Sequence, residues 1–395
     1  MCWIAREYLR INSKTIQRDK SRIREPITMI RYAEAVLAGH PDKFADQIAD
    51  RILEEAYSFD DEAYGQVEVG VWSDSIWLSG GVTTRRPFTT PIRDLIVEVG
   101  RAIGYTPANH IDVERYRIDS HICFLRGDPR QWTNTVNDQS ICIGWAGYDA
   151  LTHLLPPEQF LVHAFRRALV AALREGPLAG EGPDGKLMVR VREDAGGFAL
   201  EQVLCTLQHR KTTSLMTLME CLGEVLSVAY AALQKQDVRW VRSWADIDLL
   251  MNPNGPLVQA GSDGDNGQTG RKLVMDFYGP RVPLGGGAIS GKDVAHIDRV
   301  GAYAARRAAI DAVCSGARTC MVTLVYGPNI DEPLDVCYVM DGRGTRWPKP
   351  SFGHTKIRKL GVDPRRACRM AAGDHFVDSS LPWNNIPAGG LSSLG

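Results

Sequence analysis

Three times along this chain a helical period gives way to two short β-rich runs and then to a second helical period. That order limits the fold more than any other feature. The first round opens at "PDKFADQIADRILEEAY", where Phe44, Ile48, Ile52 and Ala56 recur every fourth residue and mark one apolar helix face. "VEVGVWS" and "SIWLSGG" follow around a turn at Asp74, then "PIRDLIVEVGRAIG", with Pro91 near its start. The second round is "PEQFLVHAFRRALVAALREG", a hairpin of "KLMVRVRED" and "FALEQVLCTLQ" across Gly196-Gly197, and "SLMTLMECLGEVLSVAYAALQ". The third is "AHIDRVGAYAARRAAIDAVCSGA", the strands "CMVTLVYG" and "LDVCYVMDG", and a stunted helix near "HTKIRKLG". An isolated hairpin is marginal in water and needs helices on its face. The expected class is therefore α+β: three pseudo-repeated α/β domains, each a small, mostly antiparallel sheet covered by helices. The boundaries read as 29–128, 129–257 and 258–384, between an N-terminal extension (1–28) and a flexible tail (385–395).

With 395 residues, 44% hydrophobic, 24% charged and a net charge of −1, the chain can bury a core and shows no global bias toward nucleic acid or membrane. No apolar run approaches the ~20 residues needed to span a bilayer. The nine cysteines are scattered and form no C-x-x-C pair, which points to a reducing, cytoplasmic compartment and away from a structural zinc site. Arg6, Arg10, Lys14, Arg18, Lys20, Arg22 and Arg24 crowd a segment without apolar period, read as a solvated extension before Met29.

The chemistry concentrates in three stretches. "GGGAISGKD", Gly285 to Asp293, nearly forms a P-loop from Gly286, but Asp293 stands where that motif needs Ser or Thr. "AGHPDK" places Pro41 at a first helical position, with His40 and Asp42 at a helix N-terminus that favours anions. There Asp42 suits a hard cation such as Mg2+ and His40 a phosphate or leaving oxygen. The hexapeptide alone reads as well as a first-turn dipole partner beside a cap. "GSDGDNGQTGRK" carries Asp263 and Asp265 as metal or ammonium contacts, and puts Arg271 and Lys272 at the start of an expected strand, "LVMDFYG", where two cations can clamp phosphates. Lys292, Asp293, His296 and Asp298 fall near the start of the alanine-rich helix. Asp184 and Lys186 in "GPDGK", Asp138 and Gln139 in "NDQS", and a charged Glu68 within a strand are weaker signals. Cations mixed with carboxylates are what a polyphosphate with Mg2+ requires.

These pieces, in this order, resemble the S-adenosylmethionine synthetases. "AGHPDKFADQIADRIL" is similar to the family's "EGHPDK…ADQISD" signature, and "GGGAISGKDVAHIDR" to its glycine-rich signature. "GDNGQTGRK", "GAYAARRAA" and "AAGDHFVDSSLPW" match further segments, so the resemblance runs from about Arg31 to Trp383. It implies a transferase in which a thioether sulfur, that of methionine or an analogue, attacks C5′ of ATP. The whole triphosphate leaves and is then cleaved to pyrophosphate and phosphate. Carried over residue by residue, His40 assists the leaving group, Asp42 and Asp298 ligate Mg2+, and Glu68 holds K+. Lys186, Arg271, Lys272 and Lys292 contact phosphates. Asp138 and Asp184 line the nucleotide, and Asp265 meets the acceptor's amine. A homodimer or dimer of dimers is implied, with no nucleic acid and no membrane.

The chain also departs from the family pattern. "TVNDQS" replaces "GAGDQG" after a shortened loop, "GGVTT" lacks the glutamate of "GGEITT", and Gln131 is the one candidate for a glutamine that contacts methionine. Leu257 replaces an aromatic, and His296 replaces a lysine that faces phosphate and the methionine carboxylate. The triphosphate half is kept and the amino-acid half eroded, so weak use of methionine is expected. Other readings are a different acceptor, a triphosphate hydrolase, or a nucleotide-binding partner subunit without catalysis.

Overall fold

The computed structural model describes residues 28–194, 196–346 and 351–387. The expectations for the basic extension and for the tail beyond residue 387 lie outside them.

Three four-stranded sheets carry the architecture, each with its own apolar cluster. The first hairpin, β2 (Tyr64–Trp72) and β3 (Ser75–Thr84), turns at Ser73, whose φ is 51°. It is flanked by β4 (Arg117–Arg126), parallel to β3, and by β9 (Gly267–Gln268), antiparallel to β2. The second hairpin, β6 (Gly185–Asp194) and β7 (Gly197–Leu207), lies between β1 (Met29–Val36) and β8 (Asp248–Met251). The third, β10 (Thr319–Tyr326) and β11 (Asp335–Met340), is flanked by β5 (Ser140–Gly147) and β12 (Arg343–Thr345).

Helices α1 (Pro41–Phe59) and α2 (Ile92–Ile103) serve the first hairpin, and α4 (Pro157–Glu175) and α5 (Leu215–Gln236) the second. Helix α7 (Ile297–Cys314) serves the third, and its closing partner α8 (His354–Ile357) is a single turn. Short helices α3 (Arg130–Thr133), α6 (Leu273–Asp276) and α9 (Ala367–Ala371) lie in the connections. The repeated helix–hairpin–helix order is thus present in all three rounds.

Two expectations need correction. "LVMDFYG" is not a strand: Leu273–Asp276 forms α6, where Asp276 is buried and its carboxylate meets the Lys43 ammonium at 2.5 Å. The loop before it supplies the strand instead, since Gly267 and Gln268 pair with Val71 and Gly70. The expectation that no apolar run is long enough to span a bilayer also fails. Among the described residues α5 has the length and hydropathy. It buries one stripe, Leu218, Leu222, Leu226, Tyr230 and Leu233.

The sheets are also interleaved along the chain. β1 lies ahead of the first hairpin but pairs with β6, β5 pairs with β10, and β9 pairs back with β2.

Candidate active site

Three helices begin alike. Asp42 in α1, Glu158 in α4 and Asp298 in α7 each occupy the second helical position. A carboxylate there is favoured by the positive end of the helix dipole. Each pairs with a cation from a single stretch of chain, residues 272–292: Asp42 with Lys272, Glu158 with Arg281 at 2.7 Å, and Asp298 with Lys292 at 2.6 Å.

In α1 and α7 the likeness extends to the cap. His40 (φ −64°, ψ 136°) and His296 (φ −59°, ψ 133°) are N-caps, and each Nδ1 accepts the backbone N–H of the aspartate two residues on. Pro156 holds this place in α4 and makes no side-chain cap. Burial, with the Lys272 charge adding to it, pushes the His40 imidazole down to about 3. Burial and Lys292 push His296 down to about 4. Both rings are neutral near pH 7.

Around Asp42, the Gln268 N–H donates to Oδ1 at 2.9 Å, Lys272 donates to Oδ2, and the Arg271 Nε stands 3.7 Å from Oδ1. Burial opposes the charge of Asp42, yet the hydrogen bonds from Lys272 and Gln268 and the Lys272 charge hold its carboxyl below the usual value. Around Asp298, the Ser140 hydroxyl donates to Oδ1 at 2.6 Å and Lys292 to Oδ2. Asp138, His296 and Asp298 bring ligand atoms within 4.8 Å of one another. Gly287 lies so close that a Cβ there would sit 2.3 Å from the Asp298 carboxyl carbon.

Strand β2 links the two clusters. Gly70 pairs with Gln268 beside Asp42, and Gln66 bridges to Lys292 beside Asp298. Four residues of strand separate those contacts by roughly 13 Å. Glu68 lies between them on the exposed face. Partial burial raises its carboxyl, and the Lys292 charge pulls it back.

Asp184 and Lys186 flank the His40 side. An oxygen of Asp184 accepts the Gly261 N–H at 2.7 Å; burial, with Asp265 adding repulsion, pushes it up to about 6. The charge of Lys186 contributes to lowering His40. Asp265 is exposed and accepts the Asn266 N–H. Asp263 is exposed, and the Ser73 hydroxyl donates to it at 3.3 Å. Gln131 is exposed on α3, and the Leu257 carbonyl accepts the His209 N–H while its own N–H donates to the His209 ring at Nε2.

In the near-P-loop the backbone N–H groups of Gly291 and Asp293 already have protein partners. Gly285 lies against Ile141 of β5, and residues 291–293 run along β2, where the Gly291 N–H donates to Asp50 and its carbonyl accepts from Val67. The Asp293 N–H donates to the Gly65 carbonyl, and its side chain accepts from Ala295. The carboxyl of Asp293 is buried, with Oδ2 unpartnered among the described residues, and burial pushes it up to about 6.

The motifs did not reveal the supports beneath the site. Lys43 lies between Asp46 at 2.9 Å and Asp276, and Asp46 in turn accepts the Gly270 N–H. Burial pushes Asp46 up to about 7 against the pull of Lys43. Asp50 and Arg299 form a two-pronged pair of zero exposure joining α1 to α7. A signal existed: Lys43, Asp46 and Asp50 fall at i, i+3 and i+7, charges on one helix face that includes buried positions. Ser140 carried no sequence signal.

Comparison with known proteins names the family. Residues 28–123 match the S-adenosylmethionine synthetase N-terminal domain, and 259–351 match its C-terminal domain. The S-adenosylmethionine synthase of Wolinella succinogenes is 32% identical over 83% of this chain and 84% of its own length. S-adenosylmethionine synthase 1 of Rhodospirillum rubrum is 35% identical over 77% and 79%. The synthase of Desulforudis audaxviator is 31% identical over 90% and 95%. The chain belongs to the S-adenosylmethionine synthetase family and is an enzyme of the methionine adenosyltransferase type.

Proposed function

We propose that the chain transfers the adenosyl group of ATP to a thioether sulfur, that of methionine or an analogue. The observation that carries this reading is the pair of matched helix N-termini along β2, each with a capping histidine, an aspartate and a lysine. A sulfur lone pair forms the bond to C5′ as the C5′–O5′ bond breaks, and its electrons leave on the triphosphate. The protein's task is then to position the triphosphate and stabilise its growing charge. Lys186, Arg271, Lys272 and Lys292 supply positive charge, and Asp138 and Asp184 flank the nucleotide. His40 offers an N–H to the departing oxygen, His296 faces the phosphates and the acceptor, and Asp265 meets the acceptor's amine. The same cations hold the triphosphate for its cleavage to pyrophosphate and phosphate.

The donor set fits Mg2+. Asp42 and Asp298 present hard carboxylate oxygens, and each now holds a lysine ammonium on Oδ2. When bound there, Mg2+ would neutralise phosphate charge. Glu68, midway along β2, is the proposed K+ ligand. A homodimer fits the uncovered face of the first sheet, where Trp72 and Trp77 are 50% and 47% exposed. We place the protein in the cytoplasm.

Calorimetric titration with a non-hydrolysable ATP analogue tests the site. Affinity should tighten at least ~10-fold with Mg2+, and Asp298→Asn should remove most of that gain. Equal affinity with and without Mg2+ would sink the reading.

A further inference from the structure

Among the described residues three arginines are buried, and two of them pair with carboxylates, Arg299 with Asp50 and Arg166 with Asp374, as the partly buried Arg281 does with Glu158. Arg306, 1% exposed in the middle of α7, is the exception. Its Nε donates to the Asn384 side-chain oxygen at 3.3 Å, its Nη1 to the carbonyls of Trp145 and Leu154, and its Nη2 to the His153 carbonyl at 3.0 Å. All four acceptors are neutral. A guanidinium has five N–H groups, so one on Nη2 has no acceptor among the described residues. Burial pulls Arg306 down only to about 10, which leaves it charged near pH 7. A buried cation without a counter-charge is costly.

Arg306 lines a cavity of about 290 Å³ between the turn at Ala150–His153, α7 and the segment from Phe376 to Ile386. His153 also lines it, and its buried Nδ1 has no partner among the described residues. Ala150, Phe376, Val377 and Ile386 give apolar walls, and Ser379 and Asn385 stand exposed at the rim. Eight residues separate Arg306 from Asp298, about 12 Å along the helix, so the cavity is separate from the phosphate site.

We propose that this cavity binds a small monocarboxylate with an apolar tail, its carboxylate on Arg306 and His153. One buried positive charge matches one negative charge, whereas a polyphosphate would bring charges with no partner. None of the described lining residues is acidic, so the ammonium of an amino acid would go unpaired. The walls take a short hydrocarbon tail.

Calorimetry on the full chain with 3-methylbutyrate, its neutral amide and inorganic phosphate decides the matter. The carboxylate should bind saturably, with the amide and phosphate each at least ~10-fold weaker, the loss expected when a charge-assisted hydrogen bond is removed. Ala150→Trp, at an exposed rim position, should weaken the carboxylate at least ~10-fold by plugging the mouth. ATP binding and melting temperature should not change in that variant. Absence of saturable carboxylate binding, equal binding of the amide, tighter binding of phosphate, or an Ala150→Trp variant that binds like wild type would each overturn the proposal.

Discussion

His40 and His296 hold the same ring atom, Nδ1, 3.2 Å from the N–H of the aspartate two residues on. A nitrogen that accepts a hydrogen bond carries no proton, so in each neutral ring the proton sits on Nε2. The cap therefore selects the tautomer and gives the site two N–H donors at related places. Alanine at either position should cost about 0.5–2 kcal/mol of stability through the lost cap. Asparagine, itself a good cap, should restore most of that stability. It should still lower turnover ~100-fold at position 40, comparable to losing one transition-state donor. Denaturant unfolding and steady-state kinetics on His40→Ala and His40→Asn separate the two roles; an Asn variant with full turnover would reduce His40 to a cap.

The neutral ring at position 296 stands where the sequence resemblance implies an ammonium. Losing a charge-assisted hydrogen bond is worth about 1.5–3 kcal/mol. His296→Lys should therefore lower the methionine KM by roughly 10- to 100-fold with little change in ATP affinity. An unchanged KM would show that position 296 does not meet the acceptor's carboxylate.

The Asp50–Arg299 pair joins helices α1 and α7 beneath the candidate site. Asp50→Asn strands a fully buried guanidinium, and the expected loss is about 3–5 kcal/mol in denaturant unfolding. A loss under 1 kcal/mol would mean that water or a rearranged partner reaches Arg299.

Asp293 gives a pH signature. Its carboxyl is raised from 3.8 to about 6 by burial, so the folded state binds this proton more tightly than the unfolded chain. Its contribution to stability is complete below pH 3.8 and is lost as pH rises through about 6. Asp293→Asn, which has no proton to lose, should gain stability relative to wild type as pH rises from about 4 to about 6, and the difference should then stay constant to pH 8. Parallel pH curves for the two proteins would place the Asp293 carboxyl in water.

Much of the fold was legible because it rests on local periodicity. The stripe of Phe44, Ile48, Ile52 and Ala56 marks α1, and the runs either side of Asp74 mark the first hairpin. The strands that join the units were not legible. β1, β5 and β9 are short or lack alternation, and their partners lie far away in sequence. "LVMDFYG" looked like a strand because Leu273, Val274 and Met275 are apolar, but the buried pairing of Asp276 with Lys43 favours a helical turn. Glycines and charges exposed the chemistry at the site. The equivalence of His40 and His296 emerged only from geometry, because H-P-D and H-I-D are too short to stand out.

The most direct measurement is mass analysis of the products formed from ATP and methionine with Mg2+ and K+. The expected result is S-adenosylmethionine with one pyrophosphate and one phosphate per turnover, and a fall of ~100-fold in all three in Lys292→Ala or Arg271→Ala. ADP or AMP as the nucleotide product, with no adenosylated sulfur from methionine or any thioether supplied in its place, would contradict adenosyl transfer at this site.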